Sequence, residues 1–144
     1  MRSFVVDASV AARFVLKEEH HKQTETVLTD YKESNIELFA PPIIMSEVGN
    51  AIRKAYGRGL IGEEEAKDGY SNFISLGLTL IQPGPDDLRE ILKTAIERRV
   101  SFYDAEYLFT SIKVGAPLLT ADDALFKISN EASQGCHLKE YSTP

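Results

Sequence analysis

Phe4-Val5-Val6-Asp7-Ala8-Ser9-Val10-Ala11 joins three strand-forming residues to an acid and then to good helix formers. The Phe-Val-Val run is short and wholly apolar, so it reads as a buried strand that Asp7 stops. From Ala8 to about Leu16, the apolar residues Val10, Ala11, Phe14 and Val15 share one helical face. The same alternation of short strand and longer helix continues along the chain. A second helix is predicted from His20 to Lys32, with Val27, Leu28 and Tyr31 inward and Gln23 or Thr24 outward. Ile36–Ala40 reads as the next strand, ended by Pro41-Pro42, and that pair also suits the first turn of a helix. Ile43, Ile44, Val48, Ala51, Ile52 and Ala55 form the helix's apolar stripe, and Gly57-Arg58-Gly59 closes it.

Gly62 followed by Glu63-Glu64-Glu65 begins a further helix that runs to about Leu76, since acids suit the positive end of a helix dipole. Leu78–Ile81 is a third strand, and Asp86-Asp87 are expected to cap a helix through Ile96. Ser101-Phe102-Tyr103-Asp104 starts another, which Gly115 stops. Ala116–Leu119 gives a fourth strand, Thr120-Ala121-Asp122-Asp123 begins a short helix, and His137-Leu138-Lys139 is expected to supply a fifth strand. This pattern predicts an α/β protein with a mainly parallel sheet of about five short strands, covered on both faces.

At 144 residues, with no repeat or linker, the chain reads as a single domain spanning 1–144. Lys and Arg number 16 against 22 Asp and Glu, which excludes a generally cationic protein that holds nucleic acid by bulk charge. A local basic rim remains compatible with that balance. Cys136 stands alone and cannot form an intrachain disulfide, so the chain suits a reducing, cytoplasmic setting. The apolar N-terminal stretch faintly resembles a secretory signal, but Asp7 and Arg13 interrupt it. No apolar run is long enough to span a membrane.

In a parallel α/β sheet, the ligand crevice lies beyond the carboxyl ends of the strands. Asp7 directly follows the first strand and Asp122 closely follows the fourth. Asp7, Asp104 and Asp122 or Asp123 also stand at helix starts, where aspartate satisfies orphan backbone amides. Ser101 and Asp104 have near capping-box spacing. Glu47 is different. It lies mid-helix between Ile44 and Val48, where an unpaired carboxylate is costly, and Asn50 follows on the same face. Several carboxylates gathered in one crevice repel each other unless a cation intervenes, and oxygen ligands suit Mg2+ or Mn2+. One or two such ions could activate a water and stabilise charge developing on a phosphate.

Taken in order, Val5-Val6-Asp7-Ala8-Ser9-Val10, Pro42-Ile43-Ile44-Met45-Ser46-Glu47-Val48-Gly49-Asn50-Ala51, Tyr103-Asp104-Ala105-Glu106-Tyr107 and Leu118-Leu119-Thr120-Ala121-Asp122 resemble the PIN-domain nucleases. The resemblance is greatest to the VapC-like toxins of bacterial and archaeal toxin–antitoxin pairs, and it covers nearly the whole chain. It implies a three-layer α/β/α sandwich and a metal-dependent endoribonuclease that hydrolyses RNA phosphodiester bonds. On that resemblance Asp7, Glu47, Asp104 and Asp122 are the catalytic, metal-binding acids. Thr120, Ser9 and Asn50 support them, and Asp123 could exchange roles with Asp122. Glu106 points roughly 200° around its helix from Asp104 and is expected to face solvent.

The resemblance also implies a homodimer and a small antitoxin protein whose C-terminal segment covers the acidic pocket, docked on the helices from Pro42 to Leu76. Arg13, Arg53 and Lys54 are candidate contacts for phosphate or for a partner's acids. A zinc site finds no support, because Cys136-His137 and His20-His21 lack separated ligand spacing. An aspartyl-nucleophile phosphatase would place a second acid where Ser9 stands. The remaining alternative is a catalytically silent PIN-like module that binds RNA or a protein partner.

Overall fold

The computed structural model describes residues 1–132 and 134–144. The elements in chain order are β1 (Arg2–Val6), α1 (Ala8–Arg13), α2 (His21–Lys32), β2 (Ile36–Ala40), α3 (Ile43–Gly57), α4 (Glu63–Ser75) and β3 (Thr79–Leu80). They continue with α5 (Pro85–Arg98), α6 (Phe102–Val114), β4 (Leu118–Thr120), α7 (Asp123–Glu131), β5 (Gly135–His137) and a 3-10 turn at Leu138–Glu140. The strands form one five-stranded sheet in the order β3-β2-β1-β4-β5, and every pairing is parallel.

β1 is the central strand. Phe4, Val5 and Val6 are fully buried, because a strand covered on both faces needs an unbroken apolar run rather than alternation. Its Val5 and Val6 pair with Leu118 and Leu119 of β4, while Arg2 to Val5 pair with Ile36 to Phe39 of β2. The chain winds outward from β1 to β2 and β3, then returns to the other side for β4 and β5. The switch point therefore lies above the carboxyl ends of β1 and β4, where such folds open a crevice.

Pro41-Pro42 ends β2 and starts α3, with both carbonyls accepting the first helical amides, Ile44 N–H and Met45 N–H, at 3.1 Å. Ile44, Val48, Ile52 and Ala55 carry the buried stripe of α3. Gly59 closes the helix with a φ of +73°, a conformation that a residue with a Cβ adopts at a cost. Among the described residues, no helix is long and apolar enough to cross a membrane.

Four expectations are corrected. Thr24 is buried, not outward, because its hydroxyl donates to the His20 carbonyl at 3.1 Å and needs no water. β3 has only two residues, both exposed at the sheet edge. Gly84 is the N-cap of α5, so Asp86 and Asp87 lie in its first turn, where Asp87 accepts the Gly84 N–H at 2.9 Å. β5 comes earlier than His137–Lys139, and the chain turns into the 3-10 segment at Leu138.

Candidate active site

Asp7 stands where β1 passes into α1 and caps that helix. Its Oδ1 accepts the Val10 N–H at 3.2 Å and the Ser9 hydroxyl at 2.6 Å, and its Oδ2 accepts the Thr120 hydroxyl at 2.6 Å. Each hydroxyl is in turn fixed by a backbone amide. Ser9 Oγ accepts the Ala121 N–H at 2.9 Å, and Thr120 Oγ1 accepts the Asp122 N–H at 3.0 Å. The single proton of each hydroxyl is thus directed at Asp7, and the ends of β1 and β4 are bridged through side chains. Thr120 is fully buried in this bridge and Asp7 is 4% exposed.

Asp122 caps α7 by accepting the Leu125 N–H at 2.8 Å, and it is exposed. The capping account thus holds for Asp7 and Asp122 without excluding chemistry at their remaining lone pairs. It does not hold for Asp104. Ser101 caps α6, accepting the Asp104 N–H at 3.0 Å, which leaves the half-buried Asp104 carboxylate without that duty. Glu47 lies half-buried on α3, and its Oε1 accepts the Tyr107 hydroxyl at 2.8 Å.

These acids raise one another's proton affinity. Burial lifts the Asp7 carboxyl to about 6, against the pull of its hydrogen bonds from Ser9, Thr120 and Val10, and the charge on Asp122 adds to the rise. Burial also lifts Asp104, with Asp122 adding and Ser101 opposing. Glu47 is raised by burial and by Asp104, and lowered by the Tyr107 bond. Asp7, Asp122, Asp104 and Glu47 therefore share one electrostatic neighbourhood, linked pair by pair across β1, α7, α6 and α3.

Other candidates sit elsewhere or are occupied. The Asp123 side chain is 92% exposed, and its Oδ1 pairs with Nε2 of the buried His137 at 2.9 Å. Only Asp122 of that pair enters the field of Asp7 and Asp104. Asn50, Arg53 and Lys54 are exposed. Arg13 is engaged by the backbone, donating to the Ser9 carbonyl at 2.6 Å and the Glu19 carbonyl at 3.1 Å. It braces the turn after α1 through two of its five donors. Glu106 is half-buried, raised by burial and by Glu47, so it borders the acids and is not simply solvated. Tyr107 escaped the sequence reading, although its position three residues after Asp104 set it on a related face of α6.

Whether a cation suits this set follows from its lone pairs. A carboxylate offers about four acceptor sites. Asp7 spends three on Ser9, Val10 and Thr120, leaving one on Oδ2. Glu47 Oε2 and Asp122 Oδ2 have no hydrogen bond among the described residues. The donors are hard oxygens that repel in the absence of positive charge. Among the described residues, however, no group of three or more His, Cys, Asp or Glu side chains could hold a metal ion by itself. The set suits an ion that keeps much of its water, as Mg2+ does, rather than one caged by protein.

The fold and this site define a PIN domain protein. The PIN domain family model matches residues 4–131, and the chain belongs to that family. It is similar to Ribonuclease VapC3 of Pyrobaculum aerophilum, with 30% identity over 122 residues covering 84% of this chain and 90% of that protein. The crystal structure of PAE2754, also from Pyrobaculum aerophilum, shares the fold at a TM-score of 0.71 and 22% identity, covering 96% of this chain and 92% of the other.

Proposed function

We propose that the protein is a metal-dependent endoribonuclease that hydrolyses RNA phosphodiester bonds and serves as the toxin of a VapBC-type toxin–antitoxin pair. The observation that carries the reading is the shared field of Asp7, Glu47, Asp104 and Asp122. The similarity of the chain as a whole to a ribonuclease relative supports it at the level of the family. A Mg2+ or Mn2+ ion, when bound, supplies Lewis acidity toward a phosphate oxygen and lowers the pKa of water. Asp7 would hold it through the last free position on Oδ2, with Glu47, Asp104 and Asp122 as further ligands, direct or through water. Ser9 and Thr120 keep the Asp7 carboxylate in one orientation while it does so. A half-buried carboxylate with a raised pKa, such as Asp104, is also a better proton acceptor than a free one. Exposed Arg53 and Lys54 can meet the RNA backbone beyond the acids.

Two surfaces support the partner part of the reading. A groove of about 650 Å³ runs between the turn after α1 and helices α3 and α4, with Val15, Leu16, Ala51 and Ile61 in its lining and Lys54 and Arg58 beside them. Its charged lining is mixed, with Lys17, Lys54 and Arg58 against Glu18 and Glu65, and it suits an amphipathic antitoxin segment. On α5, Leu92 and Ile96 are 52% and 68% exposed and lie one turn apart, a fit for a homodimer contact. The setting consistent with RNA and a free Cys136 is the cytoplasm.

The test is Mn2+ titration of metal-stripped protein beside Asp104→Asn, followed by RNA cleavage assays on both. Wild-type binding and cleavage that the variant loses is the expected result. Equal cleavage by both overturns the site. The second reading, a silent module, draws on the lack of a preformed ion cage among the described residues. Binding of RNA without cleavage at saturating Mn2+ would establish it instead.

A further inference from the structure

Tyr107 is 2% exposed and its ring belongs to the hydrophobic core, yet its hydroxyl reaches the carboxylate of Glu47. It donates to Glu47 Oε1 at 2.8 Å, and the phenol oxygen itself faces the Ala8 backbone amide. Ala8 follows Asp7 and opens α1, while Glu47 belongs to α3. One phenol on α6 therefore joins the segment that carries Asp7 to the side chain of Glu47. Nothing else among the described side-chain hydrogen bonds reaches Glu47, whereas Asp7 has three donors.

We propose that Tyr107 is the positioning residue for Glu47, holding its carboxylate at a set distance from Asp7 so that both can serve one divalent cation. The inference rests on the reading of Asp7 and Glu47 as cation-binding acids and adds the group that registers them. Burial of the ring fixes the phenol oxygen, and the neighbouring Ala8 amide, itself a donor, cannot take the phenol proton. Its proton is then left for Glu47 alone. Partners of this kind behind metal-binding side chains are worth about 10- to 100-fold in metal affinity.

The experiment is a calorimetric Mn2+ titration of four full-length proteins: wild type, Tyr107→Phe, Glu47→Gln and the double variant. Tyr107→Phe is expected to weaken binding about tenfold with unchanged far-ultraviolet circular dichroism. In the Glu47→Gln background, the same change is expected to cost less than about twofold, because the group it acts through is gone. Unchanged affinity in Tyr107→Phe overturns the proposal, as does an equal loss in both backgrounds, which is what a general packing defect gives.

No Mn2+ binding by the wild type, or no effect of Glu47→Gln, removes the metal reading itself and the proposal with it. If Tyr107→Phe does not fold, the tyrosine absorption of the wild type decides. Saturation with Mg2+ should perturb it and Glu47→Gln should abolish the change, while a spectrum indifferent to Mg2+ in the binding-competent wild type overturns the proposal.

Discussion

The two halves of the acidic site are built differently. On the β1 and β4 side, Asp7 is sunk at a strand end and held by three donors, two of them hydroxyls anchored by the Ala121 and Asp122 amides. On the α3 and α6 side, Glu47 and Asp104 are half-buried on helix faces, and a single phenol holds Glu47. The first half derives its geometry from the backbone of the sheet. The second depends on how two helices pack and on one side chain between them. A site made this way has a rigid anchor and an adjustable wall, and substitutions should separate the two.

The largest effect is expected at the anchor. Asp7→Asn should abolish RNA cleavage while making the metal-free protein more stable near neutral pH. The sign follows from linkage. Asp7 is lifted from 3.8 to about 6 by burial, so the folded protein binds its proton more tightly than the unfolded chain does. That contribution is complete below about pH 4 and is lost as pH rises through about 6. Its size is on the order of 3 kcal/mol. Urea unfolding of the metal-free proteins across this range should show wild-type stability falling relative to Asp7→Asn as pH rises. Parallel curves would mean that Asp7 is not the strained acid. Mn2+ affinity should move the opposite way, strengthening with pH as the carboxylate gives up its proton.

Thr120→Val comes next and probes the anchor without touching a charge. It removes the donor to Asp7 Oδ2 and the acceptor of the Asp122 N–H, in a fully buried place. A loss of about 1–3 kcal/mol is expected in denaturant melts, with weaker Mn2+ binding besides. Ser9→Ala, in a part-buried position, should cost less. If Thr120→Val weakened neither stability nor metal binding, the hydroxyl bridge between β1 and β4 would be incidental.

The contrast between the halves also explains what the sequence made legible. The anchor is local: an unbroken apolar run, an acid, and a helix start are neighbours in the chain, and they make Asp7 a candidate. Thr120 and Ser9 entered only through the resemblance to the PIN-domain nucleases. The wall is tertiary. Tyr107 reads as a core aromatic, and nothing near it in the chain says that Glu47, sixty residues away, will take its proton. The choice between Asp122 and Asp123 is equally hidden, because adjacent acids at a helix start are equivalent until His137 arrives from β5 to engage one of them. The bracing role of Arg13 is hidden too, because its acceptors are backbone carbonyls, which carry no sequence signature.

Glu106 is the smallest and sharpest test of the wall. On an isolated helix its rotation from Asp104 around α6 points it to water. In the folded protein α3 brings Glu47 alongside, and Glu47 raises the Glu106 carboxyl after burial has done so. Glu106 adds negative charge near the site, but no lone pair in the described hydrogen-bond network depends on it. Glu106→Gln should therefore leave cleavage within about threefold of wild type and relieve a like-charge repulsion in the metal-free protein. The expected signature is a slightly higher melting temperature without Mn2+, narrowing when Mn2+ is added. A loss of cleavage comparable to that of Glu47→Gln would make Glu106 part of the cation-binding set and move the wall of the site outward by one side chain.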